Sequence, residues 1–137
     1  MATVDDVTQL TADLSEVTVG ERHGSAAWKV RDRVFAWVRP FSKADIKRFG
    51  DTAPPSGPIL GVCVVDLEDK QAVLSEGHSG VFTIAHFDGY PALLIQLDVV
   101  GIDVLRDLLA DAWMVCAPPA LVAEFLSRHP LGEPEGE

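Results

Sequence analysis

Several things are scarce in this chain. Its longest apolar run, Ile59-Leu-Gly-Val-Cys-Val-Val65, falls far short of the roughly 20 residues that a bilayer-crossing helix needs, so it reads as a core strand and no membrane partner is expected. Cysteine is limited to Cys63 and Cys116, which have neither the density of a disulfide scaffold nor the C-x-x-C spacing of a redox or zinc site. Both are expected to be free core thiols. Basic residues are few: 11 Lys and Arg stand against 21 Asp and Glu, for a net charge of −10. That balance speaks against a polyanionic partner, because phosphate binding depends on clustered cations.

Targeting and nucleophile motifs are also missing. The first residues, Met1-Ala-Thr-Val-Asp-Asp-Val-Thr, are acidic where a secretory signal is basic and then apolar, and no lipidation signal follows at the other end. The expectation is a cytoplasmic protein. Gly77-His-Ser-Gly80 contains a serine, but Val81 stands where a G-x-S-x-G elbow requires glycine, and the motif would follow a strand. Ser79 is therefore no nucleophile. No catalytic residue, metal site or cofactor is expected, and the chain reads as a non-enzyme.

What the chain does have is enough apolar residue, 47% of 137, to bury one real core as a single domain spanning residues 1–137. Val4, Val7, Leu10, Leu14 and Val17 recur at helical spacing behind a Thr3/Asp6 capping box, which predicts a helix over residues 3–16. Val19 to Ser25 reads as loop, with His23 a solvated side chain in it. Ala26–Val30 and Val34–Val38 flank Arg31-Asp32-Arg33 and predict a hairpin. On its second strand Phe35 and Trp37 share one face by strict alternation. Ser42 and Asp45 predict a capped short helix to Phe49, followed by a Pro/Gly-rich excursion to Pro58. A strand over 59–65, a helix from an Asp66 cap to about Glu76 with Leu67, Val73 and Leu74 facing in, and a second hairpin over Phe82–Leu97 come next. That hairpin turns at Asp88-Gly89, where Gly89 needs positive φ and Pro91 begins a strand. Leu105, Leu108, Leu109, Ala112, Trp113 and Cys116 form the inner stripe of a long helix whose Asp103, Arg106, Asp107 and Asp111 face solvent. Pro118-Pro119 opens a last helix with Leu121, Phe125 and Leu126 inside, and residues 130–137 read as a frayed acidic tail. The sum is an α+β, two-layer domain: five mostly antiparallel strands with helices packed on one face.

Two residue sets invite function. Between Arg22 and Arg48 lie eight basic and two acidic residues, a local excess of six positive charges that leaves sixteen negative in excess elsewhere. Either this segment makes a face that meets an anion, or it pairs with acidic helices of the same molecule. If the former, Lys29, Arg31, Arg33, Lys43, Lys47 and Arg48 are the phosphate-binding candidates. Trp28, Phe35 and Trp37 would then stack on bases, unless they pack beneath a helix. The second set is His86, Asp88 and Tyr90. On a continuing strand His86 and Asp88 project together and, with Tyr90, could build a metal site, a general base or a phosphate anchor. The structural alternative has Asp88 bonding the turn backbone and His86 held by a neighbouring carboxylate or carbonyl. His78 and His129 sit in loop and helix-end contexts and add nothing to either set.

Ala27-Trp-Lys-Val30, Val34-Phe35, the run Phe82-Thr-Ile-Ala-His-Phe-Asp-Gly-Tyr-Pro-Ala-Leu-Leu-Ile-Gln-Leu97 and Leu105-Arg-Asp-Leu-Leu-Ala-Asp-Ala-Trp113 through Ala117-Pro118 resemble the MmcQ/YjbR family. The resemblance spans about residues 20 to 126, and His-Phe-Asp-Gly-Tyr-Pro is its most distinctive part. It implies a small bacterial cytoplasmic protein of unknown function with a CyaY-like fold, similar in architecture to frataxin and to secretion chaperones. It further implies DNA binding through a double-wing arrangement of hairpins, with no established reaction. The long Arg39–Pro58 excursion and the acidity depart from a short family member. The acidity weighs against DNA, whereas the excursion, being basic, weighs for it. The alternative function is a protein-interaction or chaperone-like module with a protein partner.

Overall fold

A computed structural model describes residues 2–22 and 24–128. His23, His129 and the tail over 130–137 lie outside the described residues. The elements run α1 (Val4–Thr11), β1 (Val17–Arg22), β2 (Ser25–Val30), β3 (Arg33–Val38), α2 (Lys43–Phe49), β4 (Ile59–Cys63), α3 (Leu67–Ser75), β5 (Val81–Phe82), a 3-10 turn (Ala85–Phe87), β6 (Ala92–Gln96), α4 (Ile102–Cys116) and α5 (Pro119–Arg128). The strands form one sheet in the order β1-β2-β3-β4-β6-β5, and every neighbouring pair is antiparallel. The α+β expectation holds, with six strands in place of five.

The extra strand is β1. Helix α1 starts as expected, with Thr3 and Asp6 closing a reciprocal capping box, but it stops at Thr11, whose buried hydroxyl donates to the Val7 carbonyl. Glu16 then takes a positive φ of 57° and turns the chain into β1, which pairs with β2 from Val17 opposite Val30 to Arg22 opposite Ser25. Leu14 and Val17 do pack on the core. They continued the helical spacing without being helical, because inward-facing residues of a turn and a strand satisfy the same pattern.

One face of the sheet carries the main core. Val7 of α1, Leu105, Leu109 and Trp113 of α4, and Leu121 and Phe125 of α5 pack there on Trp28, Phe35, Leu60 and Ile95. The two most enclosed indoles find partners: Trp28 Nε1 donates to Thr8 Oγ1 at 3.2 Å and Trp113 Nε1 to the Ser15 carbonyl at 2.9 Å, as buried tryptophans require. The predicted α4 stripe is the buried face of that helix.

The alternation expected for β3 is broken. Trp28 pairs with Ala36 and Lys29 with Val34, so Phe35 is an extra residue in β3. Such a bulge shifts the alternation by one. Phe35 and Ala36 consequently both enter the main core, while Trp37 crosses to a second, smaller core with Ala27, Ile59, Phe87, Ala92 and Leu94. Among the described residues no long helix packs over this second face. Phe41, Phe82 and Ile84 pack against it, and α2 lies beside the 3-10 turn.

The 82–97 stretch is a hairpin with unequal arms. Val81 and Phe82 pair with Ile95 and Leu94, then residues 83–91 leave the sheet and fold over its second face. Gly89 has the required positive φ, 77°, and Pro91 directly precedes β6.

Candidate ligand cleft

The uncovered part of the second sheet face forms an open cleft of about 890 Å³. Arg22 from the end of β1, Trp37 from β3, Arg39 and Phe41 from the excursion, and His86 and Tyr90 from the 83–91 segment bound it. Trp37 makes the floor. It can lie flat across β4 because residue 61 is glycine: a Cβ there would stand 2.6 Å from Trp37 Cε2.

Two arginines are held on aromatic rings at this floor. The Arg22 guanidinium carbon sits 4.8 Å from the Trp37 ring centroid, and that of Arg39 5.5 Å from the Phe87 centroid. Both distances are within the range of cation–π attraction. Arg39 is further fixed by an ion pair of 3.0 Å to Asp45 Oδ2 and by a hydrogen bond to the Pro40 carbonyl. Asp45 is only 2% exposed. It serves the α2 capping box, accepting the Ser42 N–H at 2.9 Å, and its Oδ1 stands 3.8 Å from Arg48 Nη1. Burial by itself would raise its pKa. The Ser42 backbone and hydroxyl and the Arg39 charge outweigh that and hold the carboxyl below the usual range. Arg22 makes no ion pair among the described residues.

The far wall depends on Lys70, the buried residue of α3, at 3% exposure. Its ammonium donates to the carbonyls of Phe87 at 2.7 Å and Tyr90 at 3.0 Å, which closes the turn around Phe87 and stacks Tyr90 edge-on against that ring at 5.4 Å. Burial lowers the Lys70 pKa, and the nearby Asp88 charge partly restores it. Contrary to expectation, Leu67 of the same helix is exposed at 46%.

Comparison with known proteins now adds a relationship. The chain is 38% identical over 131 residues to the uncharacterized protein Rv2570 of Mycobacterium tuberculosis, a match covering 93% of this chain and 98% of that protein. The uncharacterized protein Mb2600 of Mycobacterium bovis matches with the same identity and coverage. The chain belongs to the family of these mycobacterial proteins. No family model matches it, and no solved structure does.

The six basic candidates do not converge. Arg31 at the β2–β3 tip has a φ of 54° and pairs with Glu16 through bonds of 2.7 and 3.1 Å, which holds the Glu16 carboxyl below its ordinary pKa. Arg33 donates to the Cys116 carbonyl at 3.2 Å. Lys43, Lys47 and Arg48 lie on α2, beyond the opposite end of β3, about 17 Å of strand away. Lys29 shares the second sheet face with Gly20, whose added Cβ would stand 3.5 Å from Lys29 Cε. None of the six lines the cleft: Lys29 shares its sheet face, α2 begins beside it at the N-cap Ser42, which does line it, and Arg31 and Arg33 stay at the far tip.

The His86, Asp88 and Tyr90 set is also divided. The strand does not continue, so His86 sits on a 3-10 turn. His86 and Tyr90 line the cleft, whereas Asp88 does not. The Asp88 carboxylate bonds no turn backbone and His86 has no polar partner among the described residues. No group of three or more His, Cys, Asp or Glu suited to a metal ion occurs among the described residues. Arg22, Arg39 and Lys70 were missed as site residues. Arg22 and Arg39 were part of the basic excess, but their rings come from elements distant in sequence. A lysine in the middle of an otherwise polar helix carries no sequence signal of burial.

Proposed function

We propose that this chain is a binding protein without a reaction of its own, whose ligand is single-stranded nucleic acid held by its phosphates in the Arg22/Arg39 cleft. The observation that carries the reading is the pair of arginines fixed on aromatic rings at one open cleft. An arginine laid on a ring keeps its N–H edge for a phosphate and loses little freedom on binding. Lys43, Lys47 and Arg48 lie on α2, whose N-cap Ser42 lines the cleft, and add positive charge on that side. At about 890 Å³ the cleft is of small-ligand size, which favours an unpaired strand over a duplex. MmcQ/YjbR membership and a CyaY-like architecture belong to the same proposal. They are supported by the quoted motifs and by the order of α1, an antiparallel sheet and α4, with both helices on one face. Cytoplasmic residence is part of it too; no described helix is long and apolar enough to cross a membrane.

Fluorescence anisotropy of labelled single-stranded and duplex oligonucleotides against salt tests this reading. Single-stranded binding is expected at about 20 mM salt, with a slope near two on the log–log plot, since two to three phosphates are neutralised. Arg22→Gln is expected to weaken it about tenfold. No binding at low salt, or equal binding by the variant, overturns the proposal.

A second reading, a protein-interaction module, is favoured by β1. It is an edge strand whose outer side pairs with no strand among the described residues and whose Val19 is 55% exposed, the arrangement a partner strand joins. A partner recovered from nuclease-treated lysate, and lost with Val19→Pro, supports it over nucleic acid.

A further inference from the structure

Cys63 ends β4 and Cys116 ends α4, yet the fold brings both thiols to one backbone atom. Cys63 Sγ lies 3.7 Å from the Val34 carbonyl oxygen and Cys116 Sγ 3.8 Å from the same oxygen. Both are free thiols, Cys116 buried and Cys63 half-buried. Two sulfurs gathered within 3.8 Å of one oxygen are neighbours in space, and rotation about their Cα–Cβ bonds changes the distance between them. The two are chemically unequal. The neighbouring Cys63 thiol lowers the Cys116 pKa, burial opposes it and the Arg33 charge assists it, for a net value of about 7. The Cys63 thiol is pushed up by that same interaction and by burial. Arg33 is held beside the pair by its bond to the Cys116 carbonyl.

We propose that Cys63 and Cys116 form a hydroperoxide-reactive dithiol that closes reversibly into an intramolecular disulfide, pinning the end of α4 to β4. The small oxidant enters past the half-buried Cys63. The Cys116 thiolate attacks one peroxide oxygen, the O–O bond breaks, and the leaving hydroxide takes a proton to become water. Cys116 is now a sulfenic acid. The Cys63 sulfur attacks it, an S–S bond forms as the S–O bond breaks, and a second water leaves with the Cys63 proton. Two thiols have lost two electrons to one hydrogen peroxide, and an external dithiol reverses the step. This site is independent of the nucleic-acid reading.

The test treats the full-length reduced protein with a few equivalents of hydrogen peroxide. The expected result is loss of both thiols to Ellman's reagent under denaturing conditions and an intact mass lower by two hydrogens. A peptide joining Cys63 to Cys116 and full recovery in dithiothreitol complete it. The rate is expected to rise about tenfold between pH 6 and 8, as a thiolate with a midpoint near 7 requires. In Cys63→Ser, or Cys63→Ala should the serine disturb packing, dimedone is expected to trap a sulfenic acid on Cys116. Thiols that survive excess peroxide, a bond only between chains, or irreversible over-oxidation of wild type without the linked peptide overturns the proposal.

Discussion

The ammonium of Lys70 on α3 donates to the carbonyl of Phe87, 17 residues on, at 2.7 Å. One buried cation thereby anchors the segment that carries His86, Phe87 and Tyr90 to the cleft. Lys70→Met keeps the apolar stem and removes both hydrogen bonds. It is expected to lower the unfolding free energy by about 2 kcal/mol, the worth of charged hydrogen bonds at a buried site. Urea denaturation measures this, and a loss below about 0.5 kcal/mol counts against the anchoring role.

Gly61→Ala places a methyl group where Trp37 lies. With the added Cβ at 2.6 Å from Trp37 Cε2, the indole must leave the floor and Arg22 loses its ring. A cost of about 1–3 kcal/mol is expected for this overpacking, together with a red-shifted tryptophan emission and weakened cleft binding. Unchanged emission would show that the indole has not moved.

The Asp45 carboxyl is held below its ordinary pKa in the folded chain. Its contribution to stability is therefore fully present above the unfolded carboxylate pKa of about 3.9 and lost as pH falls through the lower folded value. Asp45→Asn is expected to cost about 2 kcal/mol at pH 7, because Arg39 keeps its charge while losing its partner. The gap between variant and wild type narrows below about pH 4. Thermal unfolding of both proteins across pH checks the sign.

Asp111 behaves in the opposite sense. Burial raises its pKa first, and the charges of Asp107, Asp69 and Glu76 add to that. Its favourable protonated form is complete below the unfolded carboxylate pKa and is lost as pH rises through the raised folded value. At neutral pH the ionised group is a liability, so Asp111→Asn is expected to stabilise. The gain is a few tenths of a kcal/mol, because the carboxyl is partly open to solvent and screened. It shrinks in high salt, and a loss of stability at pH 7 contradicts the reading.

Elements whose signal is local were legible in advance. The capping boxes at Thr3/Asp6 and Ser42/Asp45, the α4 stripe from Leu105 to Cys116 and the positive φ at Gly89 all depend on residues within a few positions of one another. β1 was not legible, since Val17 fits a helical and an inward strand position equally. Nor was the Phe35 bulge, which exists only in the pairing of β3 with β2. Of the suspected sites, His86 and Tyr90 line the cleft, but the partners that define the cleft come from other strands.

By itself the sequence determined an α+β domain, its helix starts, the inner stripe of α4 and the segment where positive charge concentrates, because each follows from short-range periodicity, capping and composition. Tertiary structure alone decided that Trp37 leaves Phe35 for the opposite face, that Arg22 and Arg39 meet at one floor, that Lys70 is buried beneath Phe87 and that Cys63 meets Cys116. Each of these depends on strand register or on packing between elements far apart in the chain, and no local pattern encodes which distant surfaces will be pressed together.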